Sequence, residues 1–317
     1  MSSRVTIVRY EPAQKSIWND FVRQSRNGTF LFHRDYMDYH EDRFPDFSLM
    51  FYDEEGELIA LLPATVAGQQ LSSHGGLTYG GIVHGTSMKA ALMLELFSTL
   101  KTFLQAAGIE SLSYKTTPHI FHSIPSEEDL YALFRNNARL VRRDLASAIC
   151  LRNRLAFSKG RRYALKQAQK LGLSVIRSYD FDSFMRLKSE TLESKYGVSP
   201  THTAAEIELL AKRFPDNIKL FTTHYLDEIV AGVLVYEHQT AVHTQYIAAN
   251  DKGKKVGALD LIIDSLIDTY TGDKEFFDFG ISTENAGNYL NQGLVQNKEW
   301  FGARTIVHDF YELRVNE

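Results

Sequence analysis

Apolar residues recur along this chain in two periods, one typical of β-strands and one typical of α-helices. Alternating runs predict one hairpin over residues 48–66, turning at residues 53–56, and another over residues 219–236. Runs with the helical period predict amphipathic helices over residues 87–107 and 255–270. The pattern therefore predicts a mixed α/β (α+β) protein in which hairpins, strands and helices follow one another.

The two halves of the chain repeat this order of elements. Equivalent positions are separated by 165 residues, as Tyr114 and Phe279 are, although side-chain identity across that offset is negligible. Self-similarity of this kind indicates a duplicated unit, and chance agreement between alternating elements is the alternative. We expect two domains, over residues 1–153 and 154–317, because the chain exceeds the usual domain length of about 100–200 residues.

Composition excludes several classes of protein. The hydrophobic fraction of 44% and the charged fraction of 23% are ordinary for globular proteins, and they exclude a disordered or fibrous chain. Thirty-five Lys+Arg against 39 Asp+Glu give a formal net charge of −4, so no overall positive field attracts nucleic acid or membranes. The single cysteine, Cys150, excludes an internal disulfide and a thiolate metal site, and it fits a cytoplasmic location.

No targeting segment, membrane span or metal site is predicted. The first ten residues lack the apolar core of a signal peptide. The most apolar helical run, residues 90–104, is too short and too charged to span a bilayer. His119 and His122 lie three residues apart, but without a nearby cysteine or a third ligand they do not predict a zinc site.

Charge is distributed unevenly along the chain. Between Arg135 and Lys170 the sequence has eleven Lys or Arg and one acid, Asp144. A solvated helix face followed by a linker accounts for such a run. A groove for a phosphate-bearing partner accounts for it equally well. Composition leaves both interpretations open.

The junction between the predicted strand over residues 241–248 and the next helix is a candidate anion site. Residues 249–258 include Gly253 and Gly257, and glycines at such a junction let backbone N–H groups approach an anion near a helix N-terminus. The segment also contains three lysines: Lys252, Lys254 and Lys255. A plain solvated loop is the alternative, because the spacing matches no Walker or dinucleotide motif.

Carboxylates occur in two places after this junction. One set recurs every four residues on the predicted helix: Asp260, Asp264 and Asp268. Like charges at that spacing repel, so they predict a water-facing side and not a metal site. Asp278 alternates with apolar neighbours at the carboxyl end of a strand, where ligands gather in open α/β sheets, and an ion pair is the other interpretation. Glu284 and Asn285 follow in a loop, where they either cap the next helix or line a cleft.

Four segments of the second half have the spacing of a known family. They are the basic helix and following strand over residues 159–175, the hairpin over 227–236 with Ala231-Gly232, the strand Phe277-Asp278-Phe279-Gly280, and the helix end Lys298-Glu299-Trp300-Phe301-Gly302-Ala303. With these motifs the C-terminal half resembles a GNAT-type acyltransferase domain. The whole chain resembles the double-GNAT arrangement of the Fem peptidoglycan aminoacyltransferases and related bacterial acetyltransferase-like proteins. The motifs cover residues 155–313, and residues 1–150 match by element order alone.

The resemblance implies two tandem GNAT-like mixed α/β domains and an N-acyltransferase that takes acyl-CoA as its co-substrate. In such an enzyme an amine attacks an activated carbonyl that backbone N–H groups polarise, and a carboxylate or water takes the proton. The implied catalytic residues are Asp278 and Glu284 as candidate bases and Lys298 as the stabilising cation. The implied carrier-binding residues are Ile247, Ala248, Lys254, Lys255, Val256, Gly257 and Ala258. The implied acceptor-binding residues are Tyr246, Asn285, Arg161 and Arg162.

Two positions depart from the GNAT pattern. Lys254 and Gly257 fit the phosphate loop, but Leu259 takes the place of its last small residue. The tyrosine that many GNAT enzymes have near the last helix is replaced by the Fem-like Lys298. For the acceptor, the resemblance implies the amine of a small molecule or of a peptidoglycan precursor.

Two alternatives to an acyl-CoA enzyme stay open. One is a tRNA-dependent aminoacyltransferase acting on a cell-wall precursor, which the basic stretch favours and the lack of a long coiled-coil pair opposes. The other is a non-catalytic ligand-binding module with the same fold.

The position of Lys298 adds a structural expectation. On a helix predicted over residues 286–300, Lys298 follows Leu294 by four residues and so falls on or beside the apolar side. A buried ammonium group is costly unless an acceptor meets it. We therefore expect Lys298 to be buried and to pair with Asp278.

Overall fold

The computed structural model of the chain describes residues 5–316, and for residues 194–196 the backbone alone. Within that part the chain divides into two compact units. The first contains the residues up to Leu145, together with Glu284–Tyr289 and the residues from Val307 on. The second contains Ala146–Thr283 and Leu290–Ile306. The assignment of domains to residues 1–153 and 154–317 stays a prediction.

Helices and strands alternate through both units. The helices are α1 (Lys15–Gln24), α2 (Arg34–Met37), α3 (Ala90–Ala106), α4 (Glu128–Arg135), α5 (Lys159–Lys170), α6 (Phe181–Tyr196), α7 (Ala204–Arg213), α8 (Asp251–Val256), α9 (Ala258–Tyr270) and α10 (Gln292–Glu299). The strands are β1 (Thr6–Arg9), β2 (Leu49–Tyr52), β3 (Leu58–Leu62), β4 (Thr65–Ala67), β5 (Gln70–Ser72), β6 (Val83–His84), β7 (Ser111–Lys115), β8 (Arg139–Cys150), β9 (Ile176–Ser178), β10 (Ile218–Tyr225), β11 (Glu228–Glu237), β12 (Ala241–Ala249), β13 (Phe276–Ile281), β14 (Thr283–Glu284), β15 (Tyr289–Leu290) and β16 (Arg304–Arg314). Among residues 5–316, no helix is both long enough and apolar enough to cross a bilayer.

The first unit has an antiparallel sheet in the order β1-β2-β3-β6. It also has a second group of strands, in which β5 pairs with β4 and β7, and β7 pairs with the last residues of β16. The buried face of α3, which includes Phe97 and Leu100, packs in one core with Leu49 and Phe51 of β2. The amphipathic period of α3 therefore supplies the apolar face that this unit needs.

The second unit is built on strands in the order β8-β13-β12-β11-β10-β9, and the last residues of β8 pair with β13. All of its pairs are antiparallel except β12 with β13. Helix α9 covers one face with Ile263 and Ile267, and α6 lies on the other face, where Phe184 contacts Gly232. A sheet buried on both faces agrees with the nearly continuous apolar sequence of β11.

Both predicted hairpins are confirmed, as β2 with β3 and β10 with β11. The predicted strand after residue 57 is broken, however, because Pro63 separates β3 from β4. Proline has no N–H to donate to a ladder, so a strand interior rarely accommodates it.

Two predicted boundaries were wrong in the second unit. The helix expected from residue 255 is preceded by another, α8, where a loop was expected, because Asn250 caps α8 and Gly257, at a φ of 72°, ends α8 and allows α9 to begin. The helix expected from residue 286 begins only at Gln292. Three consecutive residues with positive φ, Asn285 to Gly287, form a turn there that a helix cannot include.

Candidate active site

The parallel strands β12 and β13 separate after a short stretch of pairing. Their register runs from Ala241 with Phe276 to His243 with Asp278. Beyond that point β12 continues along β11, and β13 continues along β8. The second unit therefore has an opening between two strands, beginning at His243 and Asp278.

Both strands carry a bulge where they separate. In β12, Tyr246 pairs with Leu234 but Thr244 pairs with Val235, so Gln245 has no partner of its own. In β13, Asp278 and Ile281 pair with residues of β8 that are only two positions apart. Bulges of this kind bend strands and redirect backbone groups, and they are frequent beside active sites.

Asp278 and His243 form a hydrogen-bonded pair at the start of this opening. The Asp278 carboxylate is fully buried, and its Oδ2 lies 2.7 Å from His243 Nδ1. Its Oδ1 accepts the backbone N–H of Gly280 at 2.9 Å. The His243 side chain is 14% exposed. A buried carboxylate therefore fixes the orientation of a histidine ring that reaches the surface.

Gly280 makes room for that ring. Its φ is 70°, a conformation that favours glycine, and a Cβ at this position would lie 3.0 Å from His243 Cε1. A larger residue would strain the backbone and press on the imidazole.

Lys298 reaches the same end of β13 from α10. Its Nζ donates to the carbonyl oxygens of Gly280 at 2.8 Å and Ile281 at 2.7 Å. The residue is 6% exposed, so its predicted burial is confirmed. Burial lowers the pKa of Lys298 to about 8, and the charge of Asp278 opposes that shift. At neutral pH the ammonium is thus charged but poorly solvated.

The expected ion pair between Lys298 and Asp278 does not form. Lys298 donates to two carbonyl groups, whereas the carboxylate of Asp278 contacts His243 and the N–H of Gly280. Asp278 and Lys298 nevertheless belong to one cluster, since Gly280 contacts both. Of the three predicted catalytic residues, the structure brings these two together.

The predicted phosphate loop is not open. Gly257 donates its N–H to carbonyl groups of α8, and a Cβ on Gly257 would lie 2.2 Å from the Ala164 carbonyl oxygen of α5. Val256 is half-buried and Ala258 is fully buried. The Gly257 N–H, which was predicted to bind the carrier, is therefore already bonded, and α5 packs across the start of α9.

Arg161 holds α5 in this position. Its guanidinium donates to Asp260 at 3.0 Å and lies 4.1 Å from the centre of the Phe301 ring. Asp260 is buried, so its predicted water-facing position was wrong. Burial raises the pKa of Asp260, and Arg161 opposes that shift. Arg161 thus joins α5 to α9 and to Phe301 after α10, and its predicted role in acceptor binding stays a prediction.

The other predicted binding residues on β12 contact α6 and the segment before α7. The Tyr246 hydroxyl lies 2.7 Å from His202 Nδ1, and the residue is 8% exposed. Lys188 of α6 donates to the Ile247 carbonyl oxygen at 3.1 Å, and burial lowers the pKa of Lys188. Ala248 is buried opposite Gly232 in the ladder with β11.

The remaining predicted residues lie at the surface. Arg162 and Lys255 are exposed, and so is Lys254, whose Nζ contacts Asp251 at 2.8 Å. Glu284, the last residue of β14, and Asn285, in the turn that follows, are exposed and belong to the first unit. Their roles stay predictions.

A cavity of about 550 Å³ opens at the carboxyl end of β12. Its lining includes Leu187, Glu190, Ala249, Asp251 and Lys254. Asp251 and Lys254 form an ion pair, so their charges offset each other. The carboxylate of Glu190 then gives the lining of the cavity a net negative charge. The cavity thus suits an ammonium group better than a phosphate.

Sequence reasoning missed His243. A single histidine within a strand carries no motif, and the signal lies in its register. His243 becomes noticeable only when β12 and β13 are aligned and it falls opposite Asp278, 35 positions later in the chain.

Comparison with known proteins finds similarity to one family model and to several solved structures. A family model described as an acetyltransferase (GNAT) domain matches residues 152–289. The fold of the whole chain is similar to that of FemX, at 11% identity and a TM-score of 0.69, over 98% of each chain. It is also similar to L-PGS from Bacillus licheniformis, at 15% identity and a TM-score of 0.63, over 98% of this chain and 93% of that one. A tandem GNAT protein from the clavulanic acid biosynthesis pathway matches 98% of each chain at 9% identity and a TM-score of 0.51. No curated protein sequence matches the chain.

These matches confirm the predicted fold, a tandem arrangement of GNAT-like mixed α/β units. The match of residues 152–289 to the model of an acetyltransferase (GNAT) domain agrees with the predicted class of enzyme, an acyltransferase.

Proposed function

We propose that this GNAT-type acyltransferase moves an acyl group from an activated ester or thioester carrier to an amine, at the opening between β12 and β13. The observation that carries the proposal is Lys298, a buried ammonium group held at that opening by the carbonyl groups of Gly280 and Ile281. The reaction develops negative charge on the carbonyl oxygen and then on the leaving group. A fixed, poorly solvated cation stabilises that charge more strongly than water does.

The acceptor in this proposal is the amine of a small molecule or of a peptidoglycan precursor in the cytoplasm. The cavity at the carboxyl end of β12 supports an amine, because Glu190 leaves a carboxylate there without a compensating lysine. An ammonium group bound there lies at the carboxyl end of β12, the strand that carries His243 six residues earlier. The proposal thus assigns the acceptor to the α6 side of β12.

Acyl-CoA is the donor that the fold most often uses. The start of α9, however, does not offer the phosphates of acyl-CoA the open backbone N–H groups that the sequence predicted. The start of α9 is covered by α5, and the Gly257 N–H is already bonded within α8. Exposed cations lie on α5 and at Lys254 and Lys255. In the proposal, those cations contact the phosphates of the carrier.

The exposed face of α5 favours a second candidate, aminoacyl transfer from tRNA. Lys159, Arg162, Lys166 and Lys170 recur at helical spacing, and all four are exposed. Tyr163 lies among them at 66% exposure, and the helix contains no acid. A cationic face with an exposed aromatic ring is suited to a nucleic acid backbone and its bases.

The proposal is tested with hydroxylamine as a simple nucleophile. We expect the protein to accelerate hydroxamate formation from acetyl-CoA or from aminoacyl-tRNA, relative to the same mixture without protein. Lys298→Met should lower that acceleration by about 100-fold or more, the usual effect of removing a group that stabilises the oxyanion. Lys89→Met, which alters an exposed lysine before α3, is the matched control and should leave the rate unchanged.

The choice of donor decides between the two candidates. If tRNA is the carrier, Lys159→Glu with Lys166→Glu should abolish transfer from aminoacyl-tRNA, and Lys89→Glu with Lys101→Glu should not. Transfer from acetyl-CoA alone would rule out the tRNA candidate. No acceleration with either donor, or equal rates in the wild type and Lys298→Met, would contradict the proposal as a whole.

A further inference from the structure

We infer that His243 is the general base that takes the proton of the attacking amine, and that Asp278 is the residue that positions it. This inference rests on the proposed function, because it concerns the same opening between β12 and β13. It changes the role that the sequence indicated for Asp278. The carboxylate is too deeply enclosed to meet an acceptor, being 0% exposed, whereas the His243 side chain is 14% exposed.

The hydrogen bond between the two side chains assigns the tautomer. An ionised carboxylate only accepts hydrogen bonds, so the proton between Asp278 Oδ2 and His243 Nδ1 belongs to the imidazole. The neutral ring then has its lone pair on Nε2. Because Nδ1 is bonded to a fully buried group, we take Nε2 to be in the part of the ring that is exposed. The basic nitrogen therefore faces the surface at the point where the strands separate.

Several contacts hold the pair in place. The second oxygen of Asp278 accepts the Gly280 N–H at 2.9 Å, and Thr244 Oγ1 donates to the Asp278 carbonyl oxygen at 3.3 Å. Gly280 leaves space for the ring at Cε1. A base fixed in this way meets the geometric requirement for proton transfer, because it does not need to be ordered during the reaction.

Charged and titratable groups face His243 from each neighbouring strand and helix. Asp278 comes from β13, the Tyr236 phenol lies opposite on β11, and His238 precedes β12. Burial, with a smaller contribution from His243, lowers the pKa of His238 to about 3, so that His238 is neutral. Lys298 donates to the Gly280 carbonyl oxygen and is a nearby cation. One base and one cation thus both lie next to Gly280.

The reaction balances with these two groups. The ammonium of the acceptor gives one proton to Nε2, and the freed nitrogen attacks the carbonyl carbon of the acyl group. The C–N bond forms as the bond from the acyl carbon to the sulfur or oxygen of the carrier breaks. The imidazolium returns its proton to the leaving group, and the second proton of the nitrogen departs to solvent. No oxidant, metal or covalent intermediate on the protein is required.

The test compares two nucleophiles with one donor. Hydroxylamine is unprotonated at neutral pH and needs no base, whereas n-butylamine is protonated and must lose a proton before it attacks. With the donor that the wild type uses, His243→Gln should keep its rate with hydroxylamine within about threefold and lose about 100-fold or more with n-butylamine. Asp278→Asn should show the same selective loss, because its amide can donate to Nδ1 and move the imidazole proton to Nε2.

The outcomes separate this inference from the proposed function. A wild type that uses neither nucleophile contradicts the proposed function. A wild type that uses hydroxylamine alone, or a His243→Gln variant that loses both rates equally or neither, overturns the role of His243 as a base.

A spectroscopic measurement tests the same inference without any substrate. In ¹⁵N NMR spectra of the imidazoles, with His243→Gln used for assignment, the wild type should show a protonated Nδ1 and an unprotonated Nε2 at His243. Asp278→Asn should reverse that pattern. A wild-type ring protonated at Nε2 alone would overturn the inference even if transfer is observed.

Discussion

Each unit of the molecule contains a lysine whose ammonium group is bound by backbone carbonyls. In the first unit, Lys115 Nζ donates to the carbonyl oxygens of His74, Gly75 and Leu77. In the second, Lys298 Nζ donates to those of Gly280 and Ile281. Burial lowers the pKa of both lysines to about 8. By pKa alone, the two sites cannot be told apart.

The neighbours of the two lysines differ. Arg142 adds to the lowering of the Lys115 pKa, and the three carbonyls belong to one loop that the ammonium ties together. Lys298 instead lies near a carboxylate that raises its pKa, beside a histidine and an opening between strands. A perturbed lysine therefore indicates a functional site only when groups that can act on a substrate surround it.

The largest expected effect separates the two lysines by activity. Lys115→Met and Lys298→Met should each destabilise the fold by about 1–3 kcal/mol, because each leaves buried carbonyl groups without a donor. Activity per folded molecule should fall by about 100-fold or more in Lys298→Met and stay within about threefold of wild type in Lys115→Met. Thermal melts and hydroxamate assays on the same samples measure both. Equal losses in the two variants would show that Lys298 is only structural.

The second expectation concerns pH: above pH 8 the rate of transfer should fall and the free energy of unfolding should rise. Transfer requires the Lys298 cation, so the rate should fall about tenfold per pH unit above pH 8, the pKa of Lys298. Stability should change in the opposite direction. The folded pKa lies below the ordinary value of 10.5, so the unfolded chain binds more protons between pH 8 and 10.5.

Urea titrations between pH 8 and 10.5 test whether the free energy of unfolding rises as expected. As the pH rises from 8 to 10.5, the free energy of unfolding of the wild type should increase relative to that of Lys298→Met. The same increase is expected relative to Lys115→Met. An activity that rises above pH 8, or a wild-type advantage that shrinks there, would contradict the assigned charge state.

The smallest expected effect is local. Lys115→Met should speed hydrogen exchange in the loop over residues 74–77, and Lys298→Met should do so near Gly280 and Ile281. About fivefold is expected in each case, the equivalent of about 1 kcal/mol for one lost hydrogen bond. Mass spectrometry of peptic peptides resolves the two regions. Faster exchange throughout a unit would mean that the lysine supports the whole core and not one loop.

The parts of the fold that the sequence predicts are those set by local signals. Both hairpins follow from alternating residues around polar turns, and the burial of Lys298 follows from its spacing to Leu294. Local signals for α8 were also present, since Asn250 accepts the Gly253 N–H and Gly257 adopts a positive φ. The resemblance of this segment to a GNAT phosphate loop favoured a loop, and that prediction was wrong for α8.

The candidate site depends on contacts between distant positions, which no local pattern contains. Asp278 meets His243 because two strands separated by α8 and α9 align in parallel. From charge alone, the sequence predicts that Asp278 pairs with Lys298 and not with His243. Similarly, Asp260, Asp264 and Asp268 recur every four residues, but only Asp268 is exposed, and Asp260 is buried where it pairs with Arg161. Pairings of this kind follow from topology, so they require the structure.

The contact between Gly257 and the Ala164 carbonyl oxygen has a consequence for attempts to redesign the protein. The group that blocks the start of α9 is part of the α5 backbone, and every residue type has that backbone. Shortening side chains on α5 therefore cannot restore an open phosphate loop, and neither can replacing Leu259 by glycine. An engineer who wants a conventional acyl-CoA enzyme would have to shift or delete the whole helix, and would lose the Arg161–Asp260 ion pair with it.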